Sequence, residues 1–220
     1  MGKQKYGHDS ESLKKICSGI KTLHDKSIEI CIVIGGGNIL RGRDASQNNI
    51  ERVTADHMGM LATIINSLAI QNILEKDGID TRLLSAIPMT AICEPFIRRK
   101  AIRHMKKSRV VIFAAGTGNP FFSTDTAAAL RAIEMRCDAL FKGTQVNGVY
   151  SEDPKINPNA TKYQRISYSD VLNKELKIMD AAAISLAREN NIPIIIFSID
   201  ELNRLYDLFT GSENNYTIIN

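Results

Sequence analysis

The chain has 220 residues, of which 44% are apolar and 24% are charged, and its formal net charge is +4. This length suits one large α/β domain, and the composition is ordinary for a soluble globular protein. No apolar run approaches the length of about 18 residues that a membrane span needs, and the N-terminal stretch is polar. We therefore expect no signal peptide, no membrane span and a cytoplasmic protein.

The distribution of basic residues and cysteines narrows the possible partners. The longest basic runs, Arg98–Lys100 and Lys106–Lys107, are typical of a solvated helix face, so nucleic acid is not an expected partner. The cysteines form no C-x-x-C pair, lie among apolar residues and show no ligand spacing relative to the histidines. We predict buried free thiols, a reducing compartment and no metal site. The four are Cys17, Cys31, Cys93 and Cys137.

Helical and strand patterns alternate along the chain. Asp9 or Ser10 is the predicted N-cap of the first helix. In chain order the patterns predict a helix through 13–23, a strand at 28–34, a helix over 52–76, a strand at 81–86, a helix from Pro95 to near Lys107, a strand at 109–115, a helix through 127–133, a strand at 138–142, short helices near 168–173 and 180–190, a strand at 192–198 and an edge strand at the C-terminus.

This alternation favours a mainly parallel sheet with helices on both faces, an α/β/α sandwich. We find no internal repeat, low-complexity segment or interdomain linker, so the sequence predicts one domain over residues 1–220. Open α/β sheets bind ligands beyond the carboxyl ends of their strands. Three of the predicted strand ends carry unusual residues.

The first strand end is Gly35-Gly36-Gly37-Asn38. Three glycines let the backbone turn sharply and present N–H groups to an anion. The alternative is a tight strand-to-helix turn with no ligand. The segment is not a Walker loop, because no G-K-[ST] follows at the required spacing.

The second strand end, residues 115–128, is more specific. Glycines, an Asn-Pro pair and two adjacent phenylalanines precede hydroxyl residues at a helix start. Adjacent aromatics in a turn favour a planar ligand, although phenylalanine pairs in loops also plug cores. Without a ligand, Thr124 would be an N-cap and Asp125 would complement the helix dipole. That interpretation explains two residues and not the whole string.

The third strand end, residues 142–154, contains Asn147-Gly148 ahead of Tyr150 and Asp153. Asn-Gly is a strong signal for a β-hairpin. A hairpin that covers a nucleotide base would combine the structural and the functional interpretation.

Six strings, in this order, resemble the bacterial uridylate kinases of the amino-acid-kinase superfamily. They are VIGGGNILRG (33–42), RVTADHMGMLAT (52–63), SAIP (85–88), AGTGNPFFSTD (115–125), KGTQVNGVYSEDP (142–154) and KELKIMDAAA (174–183). The similarity is nearly free of gaps. It implies the amino-acid-kinase fold and transfer of the γ-phosphoryl group of ATP to UMP, giving UDP and ADP in pyrimidine nucleotide (CTP) biosynthesis.

The resemblance also implies a UMP site. Gly36 and Asp56 are expected to contact UMP, Asp56 through the ribose hydroxyls. One continuous segment is expected to wrap the uracil and the rest of the nucleotide. Its residues are Thr117, Gly118, Asn119, Pro120, Phe121, Phe122, Ser123 and Thr124.

On the ATP side, the resemblance places Gly37 at the phosphates and Arg41 where charge is neutralised during transfer. Tyr150 is expected near adenine and Asp153 near its ribose or amino edge, with Thr144 on the same side.

Asp125 and Asp180 are predicted to organise the reacting phosphates and form the catalytic set with Arg41. The alternative is that both are carboxylates at helix starts and have no catalytic role. Phosphoryl transfer needs positioning and charge neutralisation, and a phosphate acceptor needs no strong general base. His57, on an apolar helix, is therefore predicted to be a packing or interface residue.

The resemblance implies Mg²⁺ with ATP, a homohexamer built as a trimer of dimers, GTP as activator and UTP as inhibitor. One alternative is an acetylglutamate, carbamate or aspartate kinase, which the string at 115–125 disfavours. The other is a catalytically impaired nucleotide-binding regulatory protein of the same fold.

The family opens with a strand that ends in K-x-S-G-E, and this chain begins past that point. The similar-looking run from Lys15 to Gly19 falls inside the first amphipathic helix. From the resemblance we expect the functional protein to start upstream of Met1, and the shorter chain to bind UMP but turn over poorly.

Overall fold

A computed structural model describes residues 7–40, 49–210 and 215–220. The chain divides into two compact units, Met1–Ala127 and Ala128–Asn220. Each unit has its own four-stranded sheet and its own apolar core. The expectation of one domain over residues 1–220 stays a prediction.

The secondary structure confirms the alternating pattern. The helices are α1 (Ser10–His24), α2 (Arg52–Lys76), α3 (Arg98–Met105), α4 (Thr124–Met135), α5 (Tyr168–Asn173), α6 (Ala181–Glu189) and α7 (Leu205–Thr210), with a 3₁₀ helix at Ile199–Arg204. The strands are β1 (Cys31–Val33), β2 (Thr81–Ser85), β3 (Glu94–Pro95), β4 (Val110–Ala114), β5 (Leu140–Thr144), β6 (Val149–Tyr150), β7 (Lys162–Tyr163), β8 (Arg165–Ile166), β9 (Ile194–Ser198) and β10 (Tyr216–Ile219).

The N-terminal unit contains a fully parallel sheet in the order β1-β4-β2-β3. Strand β4 is buried along its whole length, which is why its sequence is apolar without alternation. Val33 of β1 pairs with Phe113 of β4. The segments that follow these two neighbouring strands, from Gly35 and from Ala115, therefore emerge at the same edge of the sheet.

Helix α1 begins where its capping residue predicts. Asp9 is the N-cap, and its carboxylate accepts hydrogen bonds from the Glu11 N–H at 3.2 Å and from the Ser12 hydroxyl at 2.7 Å. Its buried apolar residues recur at helical spacing and face the core of the unit. They are Leu13, Cys17, Ile20 and Leu23.

Helix α2 is the central helix of the N-terminal unit. Its 25 residues are, by length and composition alone, apolar enough to cross a membrane. Core helices of globular proteins share these properties, and α2 buries Ile64, Ile70 and Leu74 in the core beside the sheet. The helix therefore acts as a scaffold beneath the strand ends.

The prediction that Pro95 opens a helix is wrong. Pro95 lies in β3, where it pairs with Ser85, and α3 begins three residues later at Arg98. A proline fits this position because β3 is at the edge of the sheet, where an N–H can be missing from the ladder.

The C-terminal unit contains a mixed sheet in the order β5-β9-β10-β8. Strand β10 runs antiparallel to β9 and parallel to β8. The prediction that the C-terminal strand is an edge strand is therefore wrong, because β10 has a neighbour on each side. Ile194, Ile196 and Ile219 are fully buried in the core of this unit.

The Asn147-Gly148 dipeptide does not join a hairpin of the two strands around it. Strand β5 pairs with β9, whereas β6 pairs with β7, more than ten residues further along the chain. The hairpin interpretation is therefore wrong in its partners, although β6 and β7 are antiparallel.

All four cysteines are free thiols, as predicted, but Cys17 is buried while Cys31, Cys93 and Cys137 are partly exposed. Burial raises the pKa of the Cys17 thiol to about 11, with a smaller contribution from the negative charge of Asp77. A thiol in this environment stays protonated at neutral pH and is a packing group.

Candidate active site

The glycine turn, defined as residues 35–38, follows β1 and packs on α2. Gly36 is buried, and a Cβ built on it would lie 2.8 Å from both the Ala62 Cβ and the Gly59 carbonyl oxygen. The N–H groups of Ile39 and Leu40 donate to the Gly36 carbonyl at 3.0 Å. Only glycine fits at this contact between the turn and the helix.

Gly37 has the opposite environment. It is exposed, and a Cβ built on it would meet no atom of the described residues within 4 Å. The turn is therefore anchored at Gly36 and open at Gly37. A bound phosphate could approach the backbone there, as the sequence analysis predicted for an anion.

The aromatic turn, defined as residues 115–123, follows β4. Positive φ angles at Ala115 (62°), Gly116 (59°), Gly118 (84°) and Phe121 (71°) give it a compact, irregular path. A Cβ on Gly118 would lie 3.2 Å from the Ala86 carbonyl oxygen, so this glycine lets the turn approach the segment after β2.

Phe121 and Phe122 are 66% and 55% exposed. The interpretation of this pair as a core plug is therefore wrong. Exposed neighbouring rings on a constrained turn are a suitable surface for a planar ligand.

Asp56 connects α2 to the aromatic turn. One carboxylate oxygen of Asp56 accepts the Phe121 N–H at 2.8 Å. Arg52 Nε donates to the two carboxylate oxygens at 3.0 and 2.9 Å, and the guanidinium lies 5.7 Å from the Phe121 ring centroid. One carboxylate thus holds the aromatic turn to the start of α2.

These contacts also set the protonation of Asp56. Burial alone would raise its pKa, but the Phe121 N–H and the Arg52 guanidinium outweigh burial and hold the pKa below its usual value of 3.8. The lowered pKa means that this carboxylate stabilises the fold above pH 3.8, and that the contribution is lost as pH falls through the still lower folded-state pKa. At neutral pH the group is a charged acceptor.

Helix α4 starts beside the glycine turn. A Cβ on Gly35 would lie 3.6 Å from Thr124 Oγ1. The Ser123 hydroxyl accepts the Thr126 N–H at 3.1 Å, so Ser123 rather than Thr124 supplies the capping oxygen. Asp125 is in the first turn of this helix. Its dipole-complementing position is confirmed, while its catalytic role stays a prediction.

The N-terminal unit therefore brings together most of the predicted UMP residues. The glycine turn and the aromatic turn follow the neighbouring strands β1 and β4, and both contact the N-terminal half of α2. Within the aromatic turn the Thr117 hydroxyl accepts the Asn119 N–H at 3.2 Å, which shapes the loop ahead of Pro120. Arg41, predicted for charge neutralisation, lies outside the described residues.

Thr63 is a supporting residue that sequence reasoning missed. Its hydroxyl accepts the buried Ala115 N–H at 2.8 Å and donates to the Met60 carbonyl at 2.6 Å. It thereby fixes the first residue of the aromatic turn, whose φ is positive. The sequence signal that could have identified Thr63 is a polar residue on the apolar, buried face of a helix.

Replacing Thr63 with valine is expected to lower the free energy of unfolding by about 1–3 kcal/mol, because the buried Ala115 N–H would lose its acceptor. Valine keeps the shape of threonine. Urea unfolding measures the effect. Ser67→Ala is the matched control, since the buried Ser67 hydroxyl donates to the Thr63 carbonyl inside the same helix, and the expected change is under about 1 kcal/mol. Equal losses in the two variants would contradict the anchoring role of Thr63.

The C-terminal unit contains a cavity of about 450 Å³, within the range of small-molecule sites. Tyr150 and Asp153, both predicted for ATP, line it together with Lys174 and Lys177. Thr144 is at the end of β5, where its hydroxyl donates to the Val146 carbonyl at 2.5 Å and accepts the Val146 N–H at 3.1 Å. The hydroxyl shapes the chain as it enters the cavity wall.

Asn147 is a second residue that sequence reasoning assigned only to a turn. Its Oδ1 accepts the Tyr150 hydroxyl at 2.6 Å, and its amide donates to Asn215. The Asn215 amide in turn donates to Glu201 at 2.6 Å, and Lys162 donates to the Asn215 oxygen at 3.1 Å. This network orients the tyrosine at the cavity.

Asp180 caps α6, where its carboxylate accepts the Ala183 N–H at 2.8 Å. The helix-start interpretation is thus confirmed, and a part in phosphoryl transfer stays a prediction. Asp153 accepts the Lys155 N–H at 2.9 Å in an exposed turn. Within the described ranges, no group of three or more His, Cys, Asp or Glu side chains is placed to hold a metal ion.

Comparison with known proteins gives a consistent result. Residues 5–198 match the model of the amino acid kinase family. A uridylate kinase from Wolbachia sp. subsp. Brugia malayi (strain TRS) is 58% identical over 219 residues, which cover 100% of this chain and 88% of that protein. The crystal structure of a UMP kinase from Bacillus anthracis has a TM-score of 0.95 at 40% identity and covers 100% of this chain and 90% of its own. That of a UMP kinase from Ureaplasma parvum has a TM-score of 0.90 at 39% identity, with coverage of 98% and 93%.

Proposed function

This chain belongs to the amino acid kinase family, among the bacterial uridylate kinases, and we propose that it transfers the γ-phosphoryl group of ATP to UMP, giving UDP and ADP. The observation that carries the proposal is that the glycine turn and the aromatic turn follow neighbouring strands and are both held to α2, the first at Gly36 and the second through Asp56. Formation of UDP would be a step of pyrimidine nucleotide biosynthesis on the way to CTP, and we assign the enzyme to the cytoplasm.

UMP is held by the N-terminal unit in this proposal. The exposed Phe121 and Phe122 rings stand beside the base, with Thr117 to Thr124 around the nucleotide. Asp56 accepts the ribose hydroxyls. Each of its oxygens has about two lone-pair positions, so Oδ1, which accepts Arg52 Nε at 3.0 Å, keeps capacity for a hydroxyl donor. Gly36 brings the backbone of the glycine turn to the nucleotide.

We assign different residues to the adenosine end of ATP and to its phosphates. Tyr150 and Asp153 line the cavity of the C-terminal unit and are assigned to the adenosine end, with Thr144 at the end of β5. Gly37, open to its surroundings, is assigned to the phosphates. Arg41 follows the glycine turn in sequence and supplies the positive charge near the transferred group.

Phosphoryl transfer from ATP to UMP needs no covalent bond between the protein and the transferred group. A UMP phosphate oxygen forms a bond to the γ-phosphorus as the bond to the β,γ-bridging oxygen breaks, and ADP leaves with that electron pair. Positioning and charge neutralisation lower the barrier. Mg²⁺ supplied with ATP would screen the phosphate charge. Asp125 and Asp180 are assigned to organising these polar groups.

We further propose a homohexamer, with GTP as activator and UTP as inhibitor. Helix α2 exposes four apolar residues at spacings of three, four and three, which form one stripe on its surface. They are Met58, Leu61, Ile65 and Leu68. A continuous exposed stripe of this kind favours self-association. The exposed His57 beside it suits an interface residue.

Substrate choice tests the proposed function. UMP is expected to exceed CMP in kcat/KM by at least tenfold, because a site built to hydrogen-bond one base edge leaves its polar groups unpaired with the other. Steady-state UDP and CDP formation with ATP and Mg²⁺ measures the ratio. Acetylglutamate and carbamate serve as comparison acceptors. Equal rates with CMP and UMP would refute the assignment, and nucleotide binding without UDP formation would favour an impaired regulatory protein.

A further inference from the structure

Two asparagines clamp both ends of the glycine turn to α2. Asn66, on α2, is only 2% exposed. Its amide nitrogen donates to the Gly35 carbonyl at 2.7 Å and to Asn38 Oδ1 at 2.6 Å. Its amide oxygen accepts from Asn38 Nδ2 at 3.0 Å and from His8 Nε2 at 2.8 Å. The two asparagine side chains therefore exchange hydrogen bonds.

The orientation of the Asn66 amide is determined by its partners. A backbone carbonyl can only accept, so the Gly35 oxygen selects the NH₂ end of the amide. In that orientation Asn66 uses two donor hydrogens and accepts two hydrogen bonds. Aspartate lacks both donors and alanine lacks the whole group. Either would leave the partly buried Gly35 carbonyl without this partner.

Gly36 and Gly37 lie between the two clamped residues. Gly36 is pressed on α2, whereas Gly37 is exposed, and in the part of the chain that the structure describes no atom lies within 4 Å of a Cβ built on it. The clamp acts on the backbone before and after these glycines. On the proposed function, they are the residues of the turn that meet UMP and the ATP phosphates.

We propose that Asn66 is a positioning residue for phosphoryl transfer: together with Asn38 it holds the glycine turn in the geometry in which its backbone receives the phosphoryl groups. This inference rests on the proposed function. An error of about 1 Å at a reacting centre can cost roughly 100-fold in rate. The uracil and ribose are assigned to Asp56 and the aromatic turn, so loss of the clamp affects transfer more than UMP binding.

The test compares Asn66→Ala, Asn66→Asp and Asn38→Ala with wild type and with Ser67→Ala. Ser67 is the matched control, because it is the adjacent buried polar residue on α2 and its hydroxyl bonds within the helix. Each protein is assayed at the same interval below its own melting temperature. In both Asn66 variants kcat for UDP formation is expected to fall at least tenfold, while the UMP KM changes less than about threefold. Ser67→Ala keeps the wild-type kcat.

Hydrogen–deuterium exchange supplies a readout that needs no activity. Peptides covering residues 34–40 are expected to exchange at least tenfold faster in Asn66→Ala than in wild type or Ser67→Ala. Asn38→Ala keeps the bond from Asn66 to Gly35, so a smaller increase in the exchange rate is expected. This variant tests the inference if the Asn66 variants do not fold. A lower melting temperature with unchanged kcat and unchanged exchange at 34–40 would overturn the inference. Wild-type protein that makes no UDP refutes the proposed function instead, and the exchange data then decide whether the clamp exists.

Discussion

Replacing Gly36 with alanine is expected to lower kcat for UDP formation by about 100-fold and the free energy of unfolding by about 1–3 kcal/mol. The added methyl would lie 2.8 Å from the Ala62 Cβ and 2.8 Å from the Gly59 carbonyl oxygen. The Gly59 oxygen is a backbone atom and the Ala62 Cβ is bonded directly to the backbone of α2, so neither can rotate away. The turn must therefore lift off the helix, which moves Gly37 and strains the hydrogen bonds that the Gly36 carbonyl accepts.

Gly37→Ala separates sterics from ligand contact in this experiment. Among the residues that the structure describes, no atom lies within 4 Å of a methyl on Gly37, so the denaturant midpoint is expected to stay at the wild-type value. If the ATP phosphates approach Gly37, the same variant raises the ATP KM. A Gly36→Ala protein that unfolds at the wild-type midpoint would show that the turn is not pressed against α2.

The sequence predicted the elements of the fold well because period and composition are local properties. The apolar run of β4 reads as a strand buried on both faces, and the structure buries all of it. Asp9 marks the start of α1 because a cap is formed by neighbours in sequence. The positions of the glycine turn and the aromatic turn follow equally directly, since each begins where an apolar strand stops.

Strand partners were harder to predict, because pairing depends on residues far apart in sequence. Asn147-Gly148 has the composition of a hairpin turn, yet the Asn147 side chain bonds to Asn215, 68 residues away. Strand β5 pairs with β9, and β6 pairs with β7. The C-terminal strand looked like an edge because nothing local in its sequence indicates the short β8 beside it.

The support of the candidate site was missed for the same reason. Thr63 and Asn66 interrupt an apolar helix face, and periodicity alone treats such residues as weak points of the pattern. Their partners, Ala115 and Gly35, lie 52 and 31 residues away. Buried polar side chains on a core helix must be satisfied. The partners of such side chains are to be sought in the irregular segments, because the backbone groups of those segments lack partners in the sheet.

Asp56→Asn is expected to raise the KM for UMP by about 100-fold with little change in kcat, because charged hydrogen bonds contribute about 1.5–3 kcal/mol. On the proposed function this carboxylate binds the ribose, in addition to the Phe121 N–H that it accepts. Asparagine can still accept the Phe121 N–H, but it loses the charge that pairs with Arg52.

Arg52→Met tells apart the two roles of Asp56. Methionine keeps an apolar stem near the Phe121 ring and removes the guanidinium that lies over it. If Asp56 binds the ribose directly, Arg52→Met leaves the UMP KM within about fivefold of wild type, since the carboxylate remains. If Asp56 acts only by tying the aromatic turn to α2, both variants raise the KM equally. Initial rates at saturating ATP with varied UMP measure this difference, and an unchanged KM in Asp56→Asn would remove Asp56 from the UMP site.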